Sequence, residues 1–434
     1  MSKVIRYVAM SFIVTLILLS SADTLSAQML SEGCDLHRTR LIPYPTAAAA
    51  SQRGLERQRY MQPVVEWLQD ENGALQGEYT FPFSWLERQV FLRVEATGYG
   101  YEVFVNGKRV GLSTNGYAAA EFNITKPSRE DKNRVEIRPL EVNPMAAIEC
   151  FEAKAEAMPT AYIISQPRVR VREILSDVEV GKSGVANAVF SVVMQNLTLG
   201  RKSARLAYEI YLNDTVRLTG GYRDVSLGMH GVDTLRFGAT VADTLLWSCD
   251  RAQRLSLRMY NRIEGRDVEF YDMPVALREL RYEDGEFRIN GEPWGDEWRV
   301  MSPNATLAEV AEAVDAGAKA LRFTAGCVAE TVLEYCDARG VYVALTAPIN
   351  SSLSGTSRKK GGNPSNDPAW REGYVERILQ LIHSTKRHAC VVAYRLADDS
   401  ANGICLYEGY IAAKKVAGNR PVFYADGGNE WNND

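Results

Sequence analysis

Tyr101-Glu-Val-Phe-Val-Asn-Gly-Lys-Arg-Val-Gly-Leu112 decides how the first part of the chain is read. Two short strand-like runs flank Asn106-Gly107. That dipeptide is the strongest short hairpin signal, because both central residues of a type I′ turn need positive φ. Working outward, Val90-Phe-Leu-Arg-Val-Glu-Ala96 alternates with period two. Phe122-Asn-Ile124 and Arg134-Val-Glu-Ile-Arg138 supply further strands. Many short strands with turn signals between them predict a jelly-roll β-sandwich over residues 28–165.

The same style continues over residues 166–277. Ala188–Met194, Arg205–Leu212, Thr234–Ala239, Arg254–Tyr260 and Asp267–Tyr271 alternate, with Asn, Asp and Gly between them. About seven short strands over roughly 100 residues predict an immunoglobulin-like β-sandwich. From residue 278 onward the pattern changes. Thr306-Leu-Ala-Glu309 is a capping box that opens a helix. Ala320–Phe323, Val341–Leu345, Cys390–Leu396 and Pro421–Tyr424 read as strands, with a weaker one at Trp298–Met301. Helices are expected at Val328–Arg339, closed by Gly340, after Asp367-Pro368, and at Ile404–Ala417. Alternating strands and helices predict an incomplete (β/α) barrel of the TIM type over residues 278–434. A complete barrel takes about 250 residues. The Ser-, Gly- and Lys-rich loop from Asn350 to Asn366 is long enough to be mobile.

Composition narrows the partners. The chain has 434 residues, with 50 basic and 54 acidic side chains and a formal net charge of −4. A general electrostatic nucleic-acid binder would be more basic. Lys3 and Arg6, an apolar run from about Val8 to Leu19, and small residues ending in Leu25-Ser26-Ala27 form a secretory signal over residues 1–27. Cleavage after Ala27 would export the rest to the periplasm, cell surface or medium. No apolar run of span length follows, so no later membrane span is expected. Seven widely spaced cysteines are not a disulfide framework. By position, Cys34 and Cys150 are the pair that would bridge across the first unit. Four scattered histidines give no zinc-ligand spacing, so neither a metal nor a cofactor is expected.

Several segments in order carry a family resemblance. Tyr99-Gly-Tyr-Glu-Val-Phe-Val-Asn-Gly-Lys-Arg-Val-Gly111 and Ala120-Glu-Phe-Asn-Ile-Thr125 resemble the sugar-binding domain of glycoside hydrolase family 2, the β-galactosidase and β-glucuronidase family. Leu245-Leu-Trp-Ser248 resembles its sandwich domain, and Asp284-Gly-Glu-Phe-Arg-Ile-Asn-Gly291 the link into its barrel. Ala320-Leu-Arg322, Leu333-Glu-Tyr-Cys-Asp-Ala-Arg-Gly-Val-Tyr-Val343, Asp367-Pro-Ala-Trp370 and Asn419-Arg-Pro-Val422 resemble successive barrel segments.

The resemblance implies a retaining β-glycosidase site with two carboxylates about 5–5.5 Å apart. The family's acid/base Glu, preceded by Asn, ends the fourth barrel strand. Here Tyr394-Arg-Leu-Ala-Asp-Asp-Ser400 puts Asp398 on that Asn and Asp399 on that Glu. Asp is one methylene shorter, and a misplacement near 1 Å can cost about 10²-fold. The family's acidic stretch after the third strand becomes Leu345-Thr-Ala-Pro-Ile-Asn350, and Thr324-Ala-Gly326 lacks its histidine. The nucleophile belongs to the seventh strand, and only five strands are read here. Glu430 and Asp426 are remote substitutes. Arg322, Trp370 and Tyr394 are candidate substrate contacts. Arg322 would otherwise form an ion pair with Asp398 or Asp399. Trp294 and Trp298 are either part of an aromatic sugar platform or core. Arg358-Lys-Lys360 reads as a solvated charge cluster. The expectation is an exported, catalytically degenerate relative that acts as a carbohydrate- or protein-binding scaffold. The alternative is a weak retaining β-glycosidase using Asp399. The open barrel edge is expected to meet a protein partner or a second copy, or to be plugged by the chain's own tail.

Overall fold

The computed structural model describes residues 30–36, 38–52, 59–151, 158–180, 184–212, 214–283, 285–295, 297–424, 427 and 430–434. The signal segment 1–27 and Asp426 lie outside the described residues.

Asn106 and Gly107 take φ of 50° and 76°, the type I′ geometry that the dipeptide favours. They join Tyr101–Val105 to Lys108–Ser113 in an antiparallel pair. This pair belongs to a five-stranded sheet with Val65–Gln69, Leu75–Phe81 and Asp131–Pro139. The second five-stranded sheet of this unit orders Cys34–Asp35, Ala120–Asn123, Gln89–Val94, Ala161–Gln166 and Met61–Pro63. Trp85, Val103, Phe122 and Ile137 lie in the core between the two sheets.

The next unit is a seven-stranded sandwich. A three-stranded sheet of Val169–Val180, Val185–Asn196 and Val232–Ala242 faces a four-stranded one. The latter orders Val216–Leu227, Lys202–Leu212, Leu255–Ile263 and Arg266–Val275. The strands run 9 to 12 residues, longer than the short runs expected.

A small hairpin sheet over residues 280–293 leads into five parallel strands. These are β1 (Arg299–Met301), β2 (Ala320–Phe323), β3 (Tyr342–Thr346), β4 (Val391–Arg395) and β5 (Val422–Phe423), neighbours in that order. Four helices cover them: α1 (Leu307–Asp315), α2 (Glu330–Arg339), α3 (Arg371–Thr385) and α4 (Ile404–Val416). The Thr306–Glu309 capping box forms at the start of α1. Gly340, at φ 73°, closes α2 as its left-handed cap. The tail folds back on β5. Val422 N–H donates to the Asp434 carboxylate at 2.7 Å, and Tyr424 N–H to Asn433 Oδ1 at 2.8 Å. Asp434 N–H donates to Val422 O at 3.2 Å. Asn402 and Asn432 pair through reciprocal amide hydrogen bonds beneath it.

The three units are bonded to one another. Met145 and Ile148 of the first and Trp247 of the second share the barrel's apolar core. Arg377 of α3 is 0% exposed and pairs with Glu149, whose side chain is 7% exposed. Its guanidinium also donates to Thr114 O at 3.1 Å, and Asn115 bonds Gln380 at 2.7 Å. Gly373 is required here, because a Cβ would meet Met145 Sδ at 2.6 Å. Glu173 of the second sandwich lies 2.9 Å from Lys386, just past α3. Arg38 and Arg170 converge on the buried Glu121 between the two sandwiches.

Two expectations are corrected, on the cysteines and on Arg358. Cys34 and Cys150 are both free, their sulfurs directed at Leu112 O and Ala147 O. Within the 350–366 loop, Asn363 bonds Ser351 and Gly355. Arg358 is not merely solvated: it bonds Tyr407 at 3.1 Å and Glu430 at 3.2 Å, fastening that loop to the tail.

Two outcomes follow from these ties. Arg377→Ala leaves Glu149 as an uncompensated buried charge and should cost about 3–5 kcal/mol, read as a lower urea midpoint. The double variant Arg377→Ala/Glu149→Ala should recover part of that loss. Burial pushes the Glu173 carboxyl up, but His383 and Lys386 together hold its pKa below the usual value. Its contribution is therefore present above the unfolded Glu pKa of about 4.3 and is lost as pH falls through the lower folded value. Melting temperature against pH should show a steeper acid limb in the native chain than in Glu173→Gln.

Candidate functional site

Parallel register fixes which side chains face the inside of the sheet. Tyr394 is 1% exposed, and its hydroxyl reaches Thr385 Oγ1 of α3 at 3.1 Å, so it points outward into the helix layer. Its register partner Leu345 shares that side, as do Phe323 and Met301. The alternate set, Val300, Arg322, Ala344 and Ala393, therefore lies on the inner face. Val300 is 52% exposed, so solvent reaches that face. Arg322 is part-buried and makes no hydrogen bond or ion pair among the described residues.

The carboxyl ends of β2, β3 and β4 meet at Asp398. Its Oδ2 accepts Ala325 N–H at 2.7 Å, and its Oδ1 lies 3.7 Å from Arg395. Its own N–H donates to Ile349 O at 2.9 Å. On the other side, Asn350 N–H donates to Ile148 O at 2.8 Å, and Cys150 N–H to Asn350 O at 2.9 Å. The loop from the first sandwich thus continues a short parallel ladder through Asn350 to Asp398. Ala347, Ile349 and Ser351 are buried beneath it. Asp399, next along, is exposed at φ 36°, a left-handed conformation that Asp tolerates better than most residues. No hydrogen bond or ion pair engages its carboxylate among the described residues.

The sites read from sequence thus separate. The expected ion pair of Arg322 with Asp398 or Asp399 does not form, because Asp398 is held by Arg395 and Ala325. Tyr394 is a core residue with no ring surface to offer a sugar. Trp370 is packed against the barrel core at the start of α3. Trp294 and Trp298 stack edge-on 4.7 Å apart, and Trp294 meets Tyr342 at 5.6 Å. Tyr342 opens β3, so these tryptophans sit at the amino ends of the strands, opposite Asp399. No single aromatic platform is assembled from the four. Glu430 is fastened by Arg358 and Tyr407.

Sequence spacing missed one cluster. Asp337, His388 and Cys390 come together at the amino end of β4. Each already has a partner: Asp337 Oδ2 is 2.7 Å from His388 Nδ1, Asp337 Oδ1 accepts Cys390 N–H at 2.8 Å, and Cys390 Sγ donates to Leu333 O at 3.5 Å. Asp337 and His388 are 51 positions apart, which hid the group. Burial pushes the Cys390 thiol well above its ordinary pKa.

Comparison with known proteins follows the same outline. The family described as "Glycosyl hydrolases family 2, sugar binding domain" matches residues 62–155. That described as "Glycosyl hydrolases family 2, TIM barrel domain" matches residues 299–433. The chain belongs to glycosyl hydrolase family 2. A β-galactosidase of Erwinia tasmaniensis is 21% identical over 80% of this chain and 35% of its own length. One from an Arthrobacter species is 23% identical over 81% and 34%. The chain spans about a third of the length of these relatives. In structure, it resembles a β-glucuronidase of Bacteroides uniformis with a TM-score of 0.65, at 16% identity over 81% of this chain and 46% of that one. A β-D-mannosidase of Dictyoglomus thermophilum gives 0.59, at 15% identity over 74% and 45%.

The geometry separates the roles of the two adjacent acids. Asp398→Ala strands the Ala325 N–H and should cost about 1–3 kcal/mol of stability. Asp399→Asn, free of partners and equally able to hold the left-handed backbone, should shift stability by no more than about 0.5 kcal/mol. Chemical denaturation of the two variants side by side checks the assignment.

Proposed function

We propose that this chain is an exported, non-hydrolysing family 2 protein that serves as a carbohydrate- or protein-binding scaffold in the cell envelope. One observation carries the reading. At the barrel mouth, Asp398 and the strand-three extension are committed to a backbone ladder with the first sandwich. Asp399 is left as a lone, shortened carboxylate at the acid/base position that the family resemblance assigns. Retaining hydrolysis needs a second carboxylate across the sugar. Glu430 is tied to Arg358 and Tyr407 instead. Arg322, with unused donors on the solvent-reached inner face, suits hydrogen bonding to sugar hydroxyls or to a sugar carboxylate.

Export rests on the basic, apolar and small-residue order of residues 1–27. No helix among the described residues is long and apolar enough to cross a membrane. The reading assigns a partner or second copy to β1. That strand ends the sheet, and no strand pairs with its outer side among the described residues.

Aryl β-galactosides, β-glucuronides and β-mannosides are the substrates to assay, as the relatives' names suggest. Turnover should not exceed the buffer rate. Turnover that Asp399→Ala abolishes would instead establish the weak-glycosidase reading. Calorimetry with β-galactosides and β-glucuronides should show binding that Arg322→Ala weakens at least about tenfold. Protein recovered from the culture should begin at Gln28. Light scattering that finds only a dilute monomer would remove the self-association form of the scaffold.

A further inference from the structure

A second polar centre lies at the opposite end of the sheet from Asp399. It is a cavity of about 220 Å³ between the chain's entry segment, the second sandwich and the foot of the barrel. Arg40 and Ile42 line it from the first, Tyr271 and Asp272 from the second, and Asp337 and Arg387 from the third. Ligand pockets for drug-sized molecules usually run about 300–1,000 Å³, so this one suits something smaller.

Its charges are unevenly satisfied. The lining carboxylates have partners. Asp272 accepts from Ser256 at 2.8 Å and faces Arg258 at 3.4 Å. Asp337 is held by His388 and the Cys390 N–H. Glu334 is half exposed and only grazes Arg387 at 4.0 Å. The cations are not matched in the same way. Arg40 makes no hydrogen bond or ion pair among the described residues. Its guanidinium rests 5.3 Å from the centre of the Tyr162 ring, and its Nε is buried without an acceptor. Arg387 uses one amine on Glu330, while its own Nε is also buried without an acceptor. Arg254, on the rim, has no side-chain partner among the described residues either. Burial, and then the nearby Arg40 and Arg93 cations, pull the Arg387 pKa down to about 10. Arg387 keeps its Glu330 partner, and the unmatched positive charge is that of Arg40 and Arg254.

We propose that this cavity binds a small tetrahedral oxyanion, inorganic phosphate or sulfate, clamped between Arg40 and Arg387. Planar guanidinium forks match such oxygens, and each buried N–H left without an acceptor is a cost that an anion removes. A cation is disfavoured by the same arginines. The site lies away from the barrel mouth, so the anion would act as a fastener between units, independent of the function proposed above.

The test is thermal unfolding of the full exported chain in a phosphate titration, with sodium chloride at equal ionic strength as the reference. Phosphate should raise the melting temperature saturably, by about 2–4 °C, and sulfate should do the same. Arg40→Gln should melt at or above the native temperature in chloride, since it removes an unpaired cation, and should lose the phosphate response. Calorimetry with inorganic phosphate should give one site per chain in the native protein and none in Arg40→Gln. A phosphate response no larger than that to chloride overturns the proposal. So does an Arg40→Gln variant that keeps the full response, which would place binding on exposed basic groups such as Lys359 and Lys360.

Discussion

Arg377 has no route to water, and one carboxylate answers it. That constraint organises the contact between the first sandwich and the barrel. Burial outweighs the attraction of Arg377 in setting the Glu149 pKa, which stays above its ordinary value. Buried pairs of this kind are weak sources of net stability, but breaking one is costly. Their effect is to penalise every arrangement in which the partners are apart. Glu149 can reach Arg377 only if residues 143–151 lie across α3, which in turn carries Ile148 and Cys150 to Asn350.

The barrel mouth inherits its form from that docking. Asn350 is bonded on one side by the sandwich loop and followed on the other by Asp398. The Asp398 side chain then closes the ladder onto the β2 end through Ala325. An Asn at this position could still accept that N–H, but it would bring no charge to face Arg395. The carboxylate at 398 thus has a local reason: it accepts the Ala325 N–H and faces Arg395. A carboxylate at 398 is a brace, and the neighbouring Asp399 is left to solvent.

Much of this plan could be read from local signals. The Asn106-Gly107 turn, the Thr306–Glu309 box and the Gly340 cap are short-range codes, and each appears where its chemistry puts it. Val216–Leu227 carries no such signal: its Gly220-Gly221 pair interrupts the run, only two of its 12 residues are buried, and pairing with Lys202–Leu212 makes it a strand. The site was harder for the same reason. Tyr394 and Trp298 are aromatic in either environment, and only register and strand polarity show that one faces the helices and the other lies at the foot. Asp337, His388 and Cys390, or Arg40 and Arg387, are far apart in sequence, so nothing local announces their meeting.

The Asn433–Asp434 tail has a wider implication. By offering an amide oxygen, a carboxylate and one N–H to β5, it imitates the hydrogen-bonding rim of a neighbouring strand. The two donors that β5 would offer on this side, at Val422 and Tyr424, are thus already spent on side chains of the same segment.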